Sequence, residues 1–362
     1  MNKTYDIEQV NVMAWLRFPL IIGVVLNHCN LYAIWEYMLG YKPDIPLWLI
    51  FILNDLYTIV LPSMVSTLFI ISGYFFFRTL SDKGVNNSFF INKYKRRVNT
   101  LLIPYILWNC IAIIMLYIKF NIIEKTPLSS VDCLSGFWDF TQRTGSDPAN
   151  GPLWYVRDLM VVTLLSPFIY LLTKNRKVAH IYILVLSVLY ATDISIPVAG
   201  FSGDAFLFFS VGAYIAIHKL DLTRISNKTG VVALILYIPS QLFFNRFEDS
   251  FQYVHTIYLI LCLIKITATF YLVSLLFRKK ILKQTPVLSK ISFLLYALHG
   301  VIITPIVIIL LRLTGYSENP YVLLGIYLVI LFVIISGTFV LYNILVKFTP
   351  KIAKIITGNR GI

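Results

Sequence analysis

The sequence predicts an all-α integral membrane protein of about ten transmembrane helices, with the N- and C-termini cytoplasmic. Three observations carry that prediction. The chain of 362 residues is 58% hydrophobic and only 13% charged, where soluble domains carry about 25% charge. Its mean hydropathy is +0.77. Its basic residues collect in alternate connections between apolar segments, the asymmetry that marks cytoplasmic loops. The net charge of +14 therefore reports topology, and no nucleic-acid partner is expected.

The first apolar stretch runs from Asn11 to Ile34 and is followed by no small-residue cleavage site, so it is expected to stay as a helix. The second lies within Pro46–Phe77 and is expected to break near Pro62, because proline removes a backbone donor and clashes with the preceding turn. Further spans are read at Thr100–Ile122, Pro152–Thr173, Val178–Thr192, Gly203–His218, Gly230–Phe244, Val254–Phe277, Val287–Leu311 and Tyr321–Val346. The fifth to seventh are short, which suits little tilt or a partly re-entrant path.

Loop charge agrees with this order. With the N-terminus inside, the inner segments hold Lys3, the group Arg78 to Arg97, Lys174 to Lys177, Lys219 to Lys228, Arg278 to Lys290, and Lys347 to Arg360. The outer segments and their edges hold only Lys42, Lys119, Lys125, Arg143, Arg246 and Arg312. No internal repeat is visible, and the longest outer connection, Ile123–Gly151, is too short for a soluble domain, so residues 1–362 are read as a single membrane domain. The four cysteines, Cys29, Cys110, Cys133 and Cys262, show no paired spacing, so neither a disulfide framework nor a metal site is expected.

Several ionisable residues remain inside the apolar segments: Arg17, His28, Asp55, Arg157, Asp158, Lys265 and His299. An arginine near the centre of a membrane helix costs about 2.5–3.5 kcal/mol on insertion scales, so such residues face a bundle interior and suggest function. Arg17 and His28 are eleven residues apart, close to three turns, which places them on one helix face about 16 Å apart. The bland alternative is a snorkelling arginine and a histidine satisfied in a helix contact. Arg157 and Asp158 are adjacent, point about 100° apart and so are expected to pair with different neighbours. Lys265 is expected in an ion pair with one of these carboxylates. His180, His218 and His255 lie at helix ends, where an interfacial role is expected. The run of Lys93, Lys95, Arg96 and Arg97 is open to two readings: a topology signal that meets anionic lipid headgroups, or a docking site for the phosphates of a cytosolic donor.

Five stretches taken together carry a resemblance. They are Arg17 with His28; Ser72, Gly73 and Tyr74 in LFIISGYFFF; the basic run entering KRRVNTLLIPYILWN; Trp154, Tyr155, Arg157 and Asp158 in PLWYVRDL; and Tyr296 with His299 in YALHG. In this order, and on a chain of this length, they resemble the membrane-integral acyltransferase-3 family, whose members acylate, mostly O-acetylate, surface glycans and related molecules. The family often shows an Arg-x-Arg pair in its third element; here Arg96 and Arg97 are adjacent and Lys95 supplies the alternate position. Some relatives carry a C-terminal esterase-like domain, and this chain resembles the stand-alone members.

The resemblance implies an O-acyltransferase of the cell (cytoplasmic) membrane. It would use acyl-CoA, acetyl-CoA first of all, as co-substrate with no bound cofactor, and a glycan or lipid-linked sugar as acceptor. His28 and Arg17 are then the catalytic candidates, His28 as general base and Arg17 as the group that orients the donor. Lys93, Lys95, Arg96 and Arg97 would bind the donor's phosphates. Ser72, Tyr74, Trp154, Tyr155, Arg157, Asp158, Tyr296 and His299 would shape the donor or substrate site. A secondary transporter or flippase would also show intramembrane charges and a proline-broken helix; against it, no paired half-symmetry is visible in the hydropathy.

Overall fold

The computed structural model describes residues 3–29, 31, 34–36, 40–41, 43–56, 63–80, 87–123, 125–139, 147–194, 196–247 and 254–358. Among them the chain is helical, with no strand: an all-α membrane protein. The expected break at Pro62 lies outside the described residues. Five helices are long and apolar enough to cross a bilayer, or six if one bent pair counts as a single span, and two shorter apolar helices accompany them.

α1 (Lys3–His28) starts eight residues before the predicted span and ends at His28. The early start has a polar cause. Gln9 donates to the Leu220 carbonyl at 3.2 Å and accepts from Leu222 N at 2.7 Å, and Glu8 pairs with Arg278 at 2.9 Å. The second predicted span is divided into α2 (Leu47–Ile50), a π-helical turn over Phe51–Asp55, and α3 (Met64–Phe77). α4 (Asn87–Arg97) passes through a second π-helical turn, Val98–Leu102, into α5 (Ile103–Tyr117). The basic run thus lies within a continuous helical stretch, Ser88–Asn121. α6 (Ser130–Ser135) opens on a capping box, Ser129 with Asp132.

α7 (Trp154–Leu164) and α8 (Ser166–Thr173) meet at 63°. This is the fourth predicted span, and Pro167, in the first turn of α8, explains the bend: it has no N–H for the ladder. α9 (Arg176–Ala191), α10 (Gly203–Ile217), α11 (Asn227–Phe247), α12 (Val254–Arg278), α13 (Pro286–Leu313) and α14 (Pro320–Phe348) follow the predicted order, and a short α15 (Pro350–Ile356) ends the described chain.

The chain divides into two compact units. The first contains residues 1–20, 58–95 and 158–289. Its centre is the crossing of α3 with α10. Gly73 lies against the Phe209 carbonyl and Gly212 against the Ile70 carbonyl, where any Cβ would overlap backbone. Such small-residue crossings let membrane helices approach backbone to backbone. Phe69, Phe76, Phe77, Phe208 and Phe209 fill the space around it, each under 2% exposed.

The second unit contains residues 21–57, 96–157 and 290–362. Its core includes Trp35, Phe293 and the packed face of α13. The Trp108 indole donates to the Ile356 carbonyl at 3.2 Å and so ties α15 to α5.

Candidate active site

The second unit holds the two candidate histidines, His28 and His299. His28 closes α1, and the residue is partly open at that helix end. His299 stands halfway along α13 and is fully buried. Their ring centroids are 5.1 Å apart, with planes inclined at 46°. His299 Nδ1 lies 3.2 Å from the Leu295 carbonyl. A carbonyl only accepts, so in the neutral ring Nδ1 carries the proton and Nε2 is the acceptor. Nε2 has no hydrogen-bond partner among the described residues. The imidazole that ends α1 therefore lies against a buried one whose tautomer is fixed.

The sequence elements around His299 are drawn together. Tyr296, one turn earlier on α13, lies 5.7 Å from the His299 ring and donates its hydroxyl to the Pro152 carbonyl. Tyr155, in the first turn of α7, meets Tyr296 edge-on at 6.1 Å. Trp154 and Tyr155 are half-buried and Arg157 is buried. Arg157 reaches the outer connection. Its Nη1 donates to the Trp138 carbonyl at 2.8 Å and its guanidinium lies 6.0 Å from the Trp138 ring centroid.

Sequence reading missed Asn109, Trp138 and Asn150. Asn150 is fully buried. Its backbone N–H donates to Asn109 Oδ1 at 3.0 Å and its Nδ2 donates to the Ala297 carbonyl at 3.0 Å. Its Oδ1 fills the space beside Gly300, where a side chain would overlap it. Asn150 thus fastens the entry to α7 onto α13 between Tyr296 and His299. The only local signal was an Asn-Gly-Pro turn; the partner lies 147 residues away.

The other candidates lie in the first unit, except Arg96 and Arg97, which begin the second unit's share of that helix. The Arg17 guanidinium lies 4.5 Å from the Phe75 ring centroid, a contact worth about 0.5–2 kcal/mol. Tyr74, buried, meets Phe75 edge-on at 5.5 Å, and Ser72 is half-buried. Asp158 is buried. Lys93 is half-buried between Phe76 and Phe89, 5.3 Å from each ring centroid. Along the helix beyond it, Lys95 and Arg96 are exposed and Arg97 is half-buried. The structure thus groups His28 with His299, Tyr296 and Tyr155, and Arg17 with Phe75 next to Tyr74.

The end-of-helix histidines have local partners: His180 with the Tyr214 hydroxyl at 2.7 Å, His218 with the Thr173 carbonyl at 2.8 Å, and His255 with Asp193 at 3.6 Å. Lys265 is buried, and the side chain of Asp55, one of the carboxylates it is expected to pair with, lies outside what the structure describes. The four cysteines are free. Among the described residues no cluster of His, Cys, Asp or Glu is placed to hold a metal ion.

Comparison with known proteins gives this arrangement its context. A family model described as Acyltransferase domain matches residues 11–347. The chain is also similar to the succinoglycan biosynthesis protein ExoH of Rhizobium meliloti (strain 1021), at 23% identity over 97% of this chain and 92% of that protein. No solved structure matches. Since the family match spans nearly the whole chain and takes in both histidines, the protein belongs to the membrane-integral acyltransferase-3 family and is an enzyme that transfers acyl groups.

Proposed function

We propose that the protein moves an acyl group, acetyl first of all, from cytosolic acyl-CoA to a hydroxyl of a cell-surface glycan or lipid-linked sugar in the cytoplasmic membrane. The observation that carries this reading is the contact of His28, at the end of α1, with buried, tautomer-fixed His299. The name of the similar ExoH protein, with its reference to succinoglycan biosynthesis, supports a polysaccharide acceptor.

In this reading His28 is the general base. It takes the proton of the acceptor hydroxyl as the oxygen attacks the thioester carbonyl. The C–S bond breaks, and the proton passes to the departing CoA sulfur. General-base assistance of this kind is worth about 10²–10⁴-fold, and a thioester already poised for attack needs little more than that and positioning. His299 Nε2 is the acceptor available to an N–H of His28; that bond would leave the lone pair of the other His28 nitrogen for the hydroxyl. Arg17 orients the donor, while Lys93, Lys95, Arg96 and Arg97 hold the CoA phosphates as charge-assisted partners.

The test is release of labelled acetate from acetyl-CoA by the purified protein in nanodiscs, with His28→Ala and Arg17→Ala in parallel. Loss with His28→Ala and a raised donor requirement with Arg17→Ala are expected. A wild-type protein that neither hydrolyses nor binds any acyl-CoA overturns the reading.

A further inference from the structure

Asn150 is fully buried and stands immediately before the helical path Gly151–Leu164. An asparagine at a helix start ordinarily turns its side-chain oxygen back onto the first N–H groups. Here the side chain makes no cap and is directed at α13 instead. Its Nδ2 donates to the Ala297 carbonyl at 3.0 Å. Its Oδ1 lies against Gly300 and has no hydrogen-bond partner among the described residues.

The contact falls on the stretch of α13 that carries the site. Ala297 and Gly300 bracket His299 in sequence. Tyr296 reaches back the other way, donating to the Pro152 carbonyl. The Pro152 ring also lies where a side chain on Gly300 would stand. Two hydrogen bonds and one close approach thus pin residues 150–152 to residues 296–300. Behind them, Asn109 Oδ1 accepts the Asn150 backbone N–H at 3.0 Å, and Asn109 Nδ2 donates to the Tyr105 carbonyl at 3.0 Å. From this junction the chain runs into α7 and reaches Tyr155, whose ring meets Tyr296. The placement of Tyr155 relative to His299 therefore depends on the junction.

For stability alone the amide is a poor tie. The Ala297 carbonyl lies inside α13, where the helix ladder already brings it the N–H of residue 301. Losing the Asn150 amide leaves no orphan there. The buried Oδ1, by contrast, is an unmet acceptor, which is unfavourable. The bond gained and the acceptor left unmet offset each other, so what the side chain contributes is position. We propose that Asn150 is a positioning residue for the acyl transfer. It sets the start of α7 against the Tyr296–His299 stretch of α13, and so fixes Tyr155 beside the His28–His299 pair. The proposal deepens the acyl-transfer reading and rests on it.

The experiment measures kcat and KM for acetyl-CoA hydrolysis, and the thermal midpoint, on the full chain in nanodiscs. Wild type is compared with Asn150→Ala, Gly300→Ala and the double variant. Asn150→Ala is expected to lower kcat about 10–100-fold, the scale of a misplacement of about 1 Å, with KM and midpoint unchanged. Gly300→Ala forces the same junction apart by steric overlap and is expected to lower kcat as well. In the double variant the two losses are less than additive, because the added methyl no longer meets Oδ1. Asn150→Ala with wild-type kcat overturns the inference. So does a loss of kcat that comes with a lowered midpoint or a raised KM, which marks Asn150 as a structural tie or a donor contact. Losses that add fully in the double variant overturn it too. Wild type that turns over no acetyl-CoA fails the acyl-transfer reading and takes the inference with it. Turnover by wild type and Asn150→Ala alike fails the inference alone.

Discussion

The His28 and His299 rings meet at 5.1 Å, one at the end of α1, the other buried in the middle of α13. Among the described residues no hydrogen bond fixes the tautomer of the ring at the helix end, and the buried ring has a fixed one. The roles are therefore unequal. His28→Ala should lower acyl-CoA hydrolysis by about 10²–10⁴-fold. His299→Phe keeps a packed ring but removes the acceptor, and should lower kcat by less, about one to two orders of magnitude, with KM for acyl-CoA little changed. A steady-state kcat and KM comparison of the two variants checks the order.

Lys95 and Arg96 are exposed on the basic stretch of α4. If they meet donor phosphates, Lys95→Ala/Arg96→Ala raises KM for acyl-CoA and flattens its dependence on salt, because exposed charge contacts are screened over about 10 Å at 0.1 M. Acetyl-CoA titrations at two ionic strengths, in membranes of neutral lipid, separate this from a headgroup role. An unchanged KM there assigns the stretch to topology alone.

Arg157 uses its planar fork to reach the Trp138 carbonyl and its flat face to reach the Trp138 ring. Lysine has neither the fork nor the stacking face. Arg157→Lys should therefore loosen residues 130–139, with a cost of about 1–3 kcal/mol for the buried acceptor left unmade. Faster amide exchange confined to that segment is the expected readout.

Glycine positions separate cleanly. Gly73→Ala forces α3 off the Phe209 carbonyl and should cost about 1–3 kcal/mol as overpacking. Gly325, on α14, has open space where a Cβ would stand. Gly325→Ala should leave stability unchanged or raise it by up to about 1 kcal/mol through helix propensity. Thermal midpoints of the two variants in the same detergent test the contrast.

The spans were legible because hydropathy is averaged over many residues, so one misplaced charge does not hide a segment. α12 shows this: it was read correctly despite Lys265. The boundaries were less legible. α1 begins early because Glu8 and Gln9 find partners near the ends of other helices, and helix one ends at His28 instead of continuing to Ile34 as the apolar run suggested. Pro167 was visible, yet hydropathy cannot tell a straight span from one bent by 63°. At the site, ionisable residues flagged themselves by their cost in a membrane. Asn150 did not, because an uncharged amide in a Gly-Pro turn looks like any loop residue until Ala297 is brought beside it.

The π-helical turn at Val98–Leu102 joins the basic helix to the apolar one. Such a turn amounts to one extra residue in an α-helix, and one residue is about 100° of rotation. It therefore works as a phase shifter: the azimuth of Lys95 and Arg96 is set separately from that of the face α5 packs with. Removing a single residue there would leave the charge, the hydropathy and the length of the stretch almost untouched, yet swing the basic side chains by more than a quarter of a revolution.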